Sequence, residues 1–235
     1  MQSETLPKLD KYGYNTIARH IGLALFWGVI LFLGAGTTDW AWGWVFTLNT
    51  LVCWIVLSLV LARRNPGLLN KRGHRARDMT GTKRWDWVLL SIYTVLQFAL
   101  PFVAGLDYRY RWSAPVETWV ALVGNALLIV SCALLAWAMS ANKFFEGTVR
   151  MQQGQRVESG GPYRFVRHPG YTAVLLNFVA TPLALGAWAA WIPALVGVVT
   201  FVIRTALEDR TLQAELPGYT AYTQRTRARL LPGVW

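Results

Sequence analysis

Two segments in the C-terminal part of the chain carry residues that could do chemistry. The first reads GGPYRFVRHPGY (160–171), and the second reads RTALED (204–209). In the second segment Arg204 and Glu208 are four residues apart, so a helix would place them on one face. A long apolar stretch separates the two segments. Because charges at membrane depth are costly and usually mark a site, we expect these segments to form one.

His168 and Pro169 predict the start of a helix. The residue before a proline is biased away from helical dihedral angles, and proline favours the first helical position. The free N–H groups and the positive dipole end there favour an anion, and Arg164 and Arg167 add positive charge. The element is therefore a candidate anion site. The alternative is a positively charged anchor at the lipid headgroups.

Arg204 and Glu208 leave two interpretations open. They can be a surface ion pair that closes a helix, with the arginine as a snorkelling anchor. They can also belong to a site, because a cation near the membrane needs a partner to offset its desolvation. Glu208 is one candidate partner of Arg204, and an anionic group of a substrate is another.

The composition indicates an integral membrane protein. Hydrophobic residues make up 54% of the chain and charged residues 15%, whereas soluble domains carry about 25% charged residues. We assign the net charge of +11 to loops and anionic headgroups, and we expect no nucleic acid partner. Cys53 and Cys132 fall in apolar segments and the histidines are scattered, so we expect neither a disulfide framework nor a metal site.

The apolar segments predict an all-α fold, a polytopic helical bundle in the membrane. The last two of its six expected spans should form a helical hairpin, because the apolar run from Tyr171 to Ile203 would be about 50 Å long as one helix. That length exceeds a bilayer core of ~30 Å, and Gly186 and Ala187 offer a turn. The spans are expected near 21–36, 40–62, 87–106, 116–140, 170–186 and 188–207.

The charges of the loops predict the topology. In a chain with six spans, both termini and every second loop lie on the same side of the membrane. These segments hold all of the 23 Lys and Arg residues except Arg109 and Arg111. Positive charge marks the cytoplasmic side. We therefore expect a protein of the cell (inner) membrane with both termini in the cytoplasm. We divide the chain into a four-span N-terminal region (1–140) and a C-terminal region (141–235) with a loop, the hairpin and a tail.

The C-terminal hundred residues resemble a known family. The ordered blocks GPYRFVRHPGY, RTALEDRTL, PGYTAY and RLLPGVW are similar to those of the isoprenylcysteine carboxyl methyltransferase family. The resemblance implies an enzyme that uses S-adenosyl-L-methionine without a Rossmann fold and holds it at the cytoplasmic membrane edge. The sequence departs from the family at Ala173, where the family usually has glycine two residues after the motif tyrosine.

The resemblance also implies roles for single residues. Arg204 and Glu208 would be the catalytic pair, with Arg204 facing the methyl acceptor and Glu208 contacting the cofactor. The other expected cofactor-binding residues are Gln152, Gln155, Arg156, Val157, Glu158, Tyr163, His168, Pro169, Gly170 and Tyr171.

The function expected from the resemblance is methyl transfer to a lipophilic small-molecule or lipidated acceptor among membrane lipids. Carboxyl O-methylation of an isoprenylcysteine-like substrate is the preferred reaction. Phospholipid N-methylation and small-thiol S-methylation stay open, as does a non-catalytic membrane protein. A sterol-reductase-like enzyme that uses NADPH is a further alternative, but such enzymes read RHPNY where Gly170 stands here. The sequence does not indicate an oligomeric state.

Overall fold

The computed structural model describes residues 7–74 and 80–235, and these residues form helices and no β-strand, which confirms the all-α prediction. Two short 3-10 turns, Gly161–Arg164 and Trp188–Ala190, interrupt the helical pattern. The helices are α1 (Lys11–Ala35), α2 (Ala41–Arg64), α3 (Pro66–His74), α4 (Arg84–Tyr110), α5 (Thr118–Ala141), α6 (Pro169–Leu185), α7 (Trp191–Glu215) and α8 (Tyr219–Arg225).

Most of these helices are membrane spans by length and composition. Helices α1, α2, α4 and α5 and the segment Trp188–Glu215 are long and apolar enough to cross a bilayer. Helix α6 is apolar but has 17 residues, which gives it a length of about 25 Å. The described residues therefore form a polytopic helical membrane bundle, as predicted, with five helices long enough to span a bilayer and one shorter apolar helix. The side on which the termini lie and the division at residue 140 stay predictions.

Helix α1 begins ten residues before the span that the sequence predicts, because Asp10 caps it. The Asp10 carboxylate accepts hydrogen bonds from the N–H groups of Tyr12 and Gly13, each at 2.9 Å. Such a cap satisfies two of the N–H groups that lack partners at a helix start. The polar first turns pack against α3, where the Thr16 hydroxyl donates to the carbonyl of Leu69 at 3.0 Å.

The predicted hairpin is present between α6 and α7. Gly186 adopts a left-handed conformation (φ 62°) at the end of α6. The N–H of Ala187 then donates to the carbonyl of Pro182 at 3.0 Å, which closes the helix end. A Cβ atom on Gly186 would lie 2.6 Å from the side chain of Val116, so both the conformation and the space require glycine.

A buried aspartate fixes the hairpin turn to the rest of the bundle. Asp107, near the end of α4, is 2% exposed. Its carboxylate accepts from the backbone N–H and the hydroxyl of Ser113 at 2.8 and 2.6 Å, and from the N–H of Ala189 at 2.8 Å. The turn between α6 and α7 therefore lies beside the C-terminal end of α4. The start of α6 and the end of α7 lie at the opposite end of the bundle.

Glycine residues allow neighbouring helices of the bundle to pack closely. A Cβ atom on Gly124 of α5 would overlap the backbone of Ala184 in α6. A Cβ atom on Gly105 of α4 would overlap the carbonyl of Leu31 in α1. Such contacts are typical of helices packed in membranes. They bring α5 close to α6 and α4 close to α1.

Candidate active site

A cavity of about 840 Å³, which includes space open to solvent, lies at the end of the bundle opposite the hairpin turn. It is enclosed by segment 142–158, the start of α6, the last turns of α7 and part of α8. The structure brings all of the predicted cofactor-binding residues into its wall. They are Gln152, Gln155, Arg156, Val157, Glu158, Tyr163, His168, Pro169, Gly170, Tyr171 and Glu208. Arg204 lies outside this wall.

One wall of the cavity is the loop that follows α5, and hydrogen bonds define its path. The Gln152 side-chain amide donates to the carbonyl of Phe144 at 2.7 Å. The Gln152 N–H donates to the side chain of Gln155 at 3.0 Å, across a turn in which Gly154 has a φ of 70°. These contacts explain why Gln152 and Gln155 face the same space.

Two buried tyrosines form the floor of the cavity. The Tyr222 hydroxyl donates to the carbonyl of Tyr163 at 2.5 Å, and the Tyr163 hydroxyl accepts from the Asn142 amide at 3.3 Å. Burial raises the pKa of Tyr163 and raises the pKa of Tyr222 to about 12. Both phenols are therefore neutral near pH 7 and can offer rings and hydrogen bonds, but no charge.

Helix α6 begins at Pro169, as the sequence predicts, and His168 has non-helical dihedral angles (φ −126°, ψ 61°). Gly170 lies under the ring of Phe145, since a Cβ atom there would be 2.5 Å from two carbons of that ring. An asparagine at position 170 would collide with the ring. The start of α6 is thus shaped for glycine and for Phe145, which itself lines the cavity.

Asp209 is the centre of a buried charge cluster beside this helix start. Its side chain is fully buried, and it accepts from Arg167 Nε and Nη2 at 2.8 and 2.9 Å and from Arg229 Nε at 2.9 Å. The Tyr219 hydroxyl donates to it at 3.0 Å, and His168 Nε2 lies 3.3 Å away. A carboxylate with these partners is fixed in place and has little capacity left for a ligand.

Backbone hydrogen bonds tie the C-terminal tail to the same helix start. The N–H groups of Arg167 and His168 donate to the carbonyls of Ala228 and Arg229 at 3.0 and 2.9 Å. The guanidinium group of Arg167 also donates to the carbonyl of Thr226 at 2.9 Å. The tail therefore packs against the segment that precedes α6 and helps to hold His168 at the edge of the cavity.

Glu208 differs from its neighbour Asp209 in what it contacts. Its side chain lines the cavity, and it accepts a hydrogen bond from the hydroxyl of Tyr171. Within residues 7–74 and 80–235, no cationic side chain lies within salt-bridge distance of Glu208. The two consecutive acids of the LEDR sequence thus have different environments, because a helix turns about 100° between them.

Arg204 pairs with Asp86 rather than with Glu208. Arg204 is 4% exposed, and its Nε lies 2.7 Å from the carboxylate of Asp86, at the start of α4. Its Nη2 donates to the carbonyl of Gly147 at 2.6 Å, and its guanidinium carbon lies 5.0 Å from the centre of the Tyr171 ring. The interpretation of Arg204 and Glu208 as a surface ion pair is therefore wrong. The role of Arg204 toward a methyl acceptor stays a prediction.

Sequence reasoning missed the two aspartates that organise this end of the bundle. Asp86 also accepts from the N–H of Val149 at 2.7 Å and so fixes the loop as well as Arg204. The chain has only 12 Asp and Glu residues against 23 Lys and Arg. The scarcity of acids, and their position at the ends of apolar segments in RWDW and LEDR, was the available signal.

We predict that Asp209→Asn destabilises the protein and releases the tail. The substitution leaves the buried Arg167 without its carboxylate, and breaking a buried pair costs about 3–5 kcal/mol. Thermal unfolding in detergent should show a lower midpoint, and limited trypsin digestion should cut faster after Arg225 or Arg227. Glu215→Gln is the control on the same helix, because its partly exposed pair with Lys83 contributes about 1 kcal/mol or less. Equal midpoints for the two variants would contradict the role of Asp209.

Part of the chain matches a known protein family. A model of the isoprenylcysteine carboxyl methyltransferase (ICMT) family matches residues 122–214, which span α5, the loop, α6 and nearly all of α7. No curated protein matches the chain. The matched region includes most of the cavity wall but not Tyr219 or Tyr222, which lie in α8. The match supports the resemblance seen in the sequence: residues 122–214 are similar to the isoprenylcysteine carboxyl methyltransferase family, a family of membrane methyltransferases.

Proposed function

We propose that the protein is a methyltransferase that binds S-adenosyl-L-methionine in the cavity of residues 142–171, Glu208 and α8. One observation carries this proposal: Glu208 places a carboxylate in the cavity wall without a cationic partner in the described part of the chain. A carboxylate next to buried aromatic rings is stabilised by a bound cation, and S-adenosyl-L-methionine carries two positive groups.

The chemistry of the residues that line the cavity suits this cofactor. Glu208 is suited to the amino group, and the neutral rings of Tyr163 and Tyr171 are suited to the adenine or the sulfonium. The N–H groups at the start of α6 are suited to the carboxylate. Val157, Leu212 and Leu216 supply apolar surface for the remaining atoms.

The chain itself contributes positioning rather than acid–base chemistry. When bound, S-adenosyl-L-methionine supplies an electrophilic methyl group. A carboxylate acceptor is already ionised near pH 7, so its methylation requires correct alignment and no general base. Asp86 holds the Arg204 guanidinium group through Nε and Nη2. Among the described residues no group accepts a hydrogen bond from Nη1 of Arg204, which leaves that nitrogen for the acceptor.

The acceptor that these residues suit best is the carboxylate of a lipophilic, isoprenylcysteine-like molecule. The planar donor group of Arg204 recognises carboxylates, and the site lies at the end of membrane-spanning helices, within reach of a lipophilic molecule. Amine and thiol acceptors would each have to lose a proton. The buried phenols of the cavity are poor bases for that step. The overlap of Gly170 with Phe145 speaks against the reductase-like alternative, whose element carries asparagine at this position.

We predict that Glu208→Gln weakens binding of S-adenosylhomocysteine about tenfold, which corresponds to ~1.4 kcal/mol. The substitution removes the negative charge but keeps an acceptor for the Tyr171 hydroxyl. Calorimetric titration of the purified protein measures the effect. Binding of 5′-methylthioadenosine, which lacks the amino-acid part of the cofactor, should change much less, because Glu208 is assigned to the amino group.

The control for this titration is Glu215→Gln, which removes the same charge from the same helix at an exposed position. It should bind S-adenosylhomocysteine as the wild type does. An absence of saturable binding to the wild-type protein, or equal affinity of the Glu208→Gln variant and the wild type, would contradict the proposed site.

We also predict that the methylated product is an ester. Membranes that contain the protein, incubated with S-adenosyl-L-methionine labelled in the methyl group, should form a lipid-soluble labelled product. Mild alkali should release its label as volatile methanol, because esters hydrolyse and methylamines and thioethers do not. A labelled product that resists alkali would instead support N- or S-methylation. Membranes that carry the Glu208→Gln variant are the background control.

A further inference from the structure

Arg72 is a half-buried cation to which the proposed function assigns no role. It lies in α3, outside the region that the family model matches. Its Nη1 is inaccessible to solvent, and no described residue accepts a hydrogen bond from it. Its Nη2 lies 3.9 Å from the position that a Cβ atom on Gly147 would take. Arg72 thus lies directly beside the loop that forms one wall of the cavity.

Among the residues that the structure describes, no carboxylate lies within salt-bridge distance of Arg72. Arg19 approaches from α1, where its Nη2 lies 3.4 Å from the carbonyl of Arg72. Glu146 attracts the guanidinium group electrostatically, but its carboxylate forms a buried pair with Arg150 at 2.7 Å. Burial lowers the pKa of Arg72, and the charge of Arg19 lowers it further. Both effects disfavour a second positive charge in this place unless an anion joins it.

Arg72 and Arg204 approach the same short stretch of loop from different elements. Arg204 donates to the carbonyl of Gly147, and Arg72 packs beside the Cα of the same residue. The hydroxyl of Tyr93 in α4 lies within electrostatic reach of both guanidinium groups. Residues on both sides of Gly147 in the sequence, including Glu146 and Thr148, line the cavity. The region between the two arginines therefore borders the cavity and carries excess positive charge.

We propose that Arg72, together with Arg204, binds the anionic group of the methyl acceptor, a carboxylate, and so helps to orient it. This inference rests on the proposed function, since it assumes a lipophilic acceptor. It adds a residue from the N-terminal half of the chain to the acceptor site. It also gives a role to the buried Nη1 of Arg72, from which no described residue accepts a hydrogen bond.

The test compares two ligands that differ only in charge. The protein in lipid nanodiscs is titrated with N-acetyl-S-farnesyl-cysteine and with its neutral carboxamide, without cofactor. The wild type should bind the acid at least about tenfold more tightly than the amide, the scale expected for a hydrogen-bonded charge pair. Arg72→Met should bind the two equally. Arg63→Met removes an exposed arginine at the end of α2 and should keep the preference for the acid.

Thermal unfolding of the same variants separates binding from a structural role. Because no side chain in residues 7–74 and 80–235 forms a salt bridge or hydrogen bond with the Arg72 guanidinium group, Arg72→Met should unfold at the same temperature as the wild type or higher. A variant that fails to fold, a preserved preference for the acid in Arg72→Met, or no preference in the wild type would each overturn the proposal. Stronger binding of a lysophosphatidic acid than of the farnesyl acid would also overturn it and would assign Arg72 to a lipid phosphate.

Titration with S-adenosylhomocysteine on the same preparations reports on the proposed function separately. Arg72→Met should bind this ligand as the wild type does, because Arg72 does not line the cavity. Loss of the acid preference with intact binding of S-adenosylhomocysteine supports the assignment of Arg72 to the acceptor. Failure of the wild type to bind S-adenosylhomocysteine would count against the proposed function, while the comparison of acid and amide would still decide the role of Arg72.

Discussion

The cation-binding carboxylate of Asp209 determines how the C-terminal part of this protein is built. It is fully buried and takes up Arg167, Arg229 and the hydroxyl of Tyr219. Because a buried arginine without a partner would be strongly destabilising, these contacts bring together the start of α6, the end of α7, helix α8 and the tail. The cavity lies where these elements meet, so its shape depends on this one carboxylate.

The same constraint explains which charges are left for a ligand. The chain has nearly twice as many basic as acidic residues, and arginines take two of its buried carboxylates. Asp86 holds Arg204, and Asp209 holds Arg167. In the described parts of the chain this leaves two carboxylates in the cavity wall without a cationic partner, Glu158 and Glu208. It also leaves one buried guanidinium nitrogen beside the loop, on Arg72. A cationic cofactor and an anionic acceptor are the ligands that this distribution of charge would attract.

The sequence predicted those features of the fold that depend on interactions between neighbouring residues. The turn at Gly186 and the start of α6 at Pro169 follow from the conformational preferences of glycine and proline. The cofactor-binding residues expected from the family resemblance line one cavity, whereas Arg204 lies outside its wall. That they bind a cofactor remains a proposal.

Pairings between distant residues could not be predicted in this way. Asp86 and Arg204 are separated by more than a hundred residues, and their contact depends on how α4 packs against α7. The spacing of Arg204 and Glu208 indicated a pair on one helix face. Arg204 instead pairs with the fully buried Asp86 of α4. Likewise, the early start of α1 depends on Asp10 and on packing against α3, which the hydropathy of the segment does not report.

The central claim is that the cofactor lies between segment 142–171 and the end of α7. Ultraviolet cross-linking of the purified protein with labelled S-adenosyl-L-methionine, followed by peptide mapping, tests it most directly. We predict that the label is found on peptides from residues 142–171 or 208–222, and that excess S-adenosylhomocysteine, but not NADPH, prevents it. Labelling found only on α2 or on the N-terminal half of α5 would contradict this account. Protection of the protein by NADPH and not by S-adenosylhomocysteine would contradict it as well.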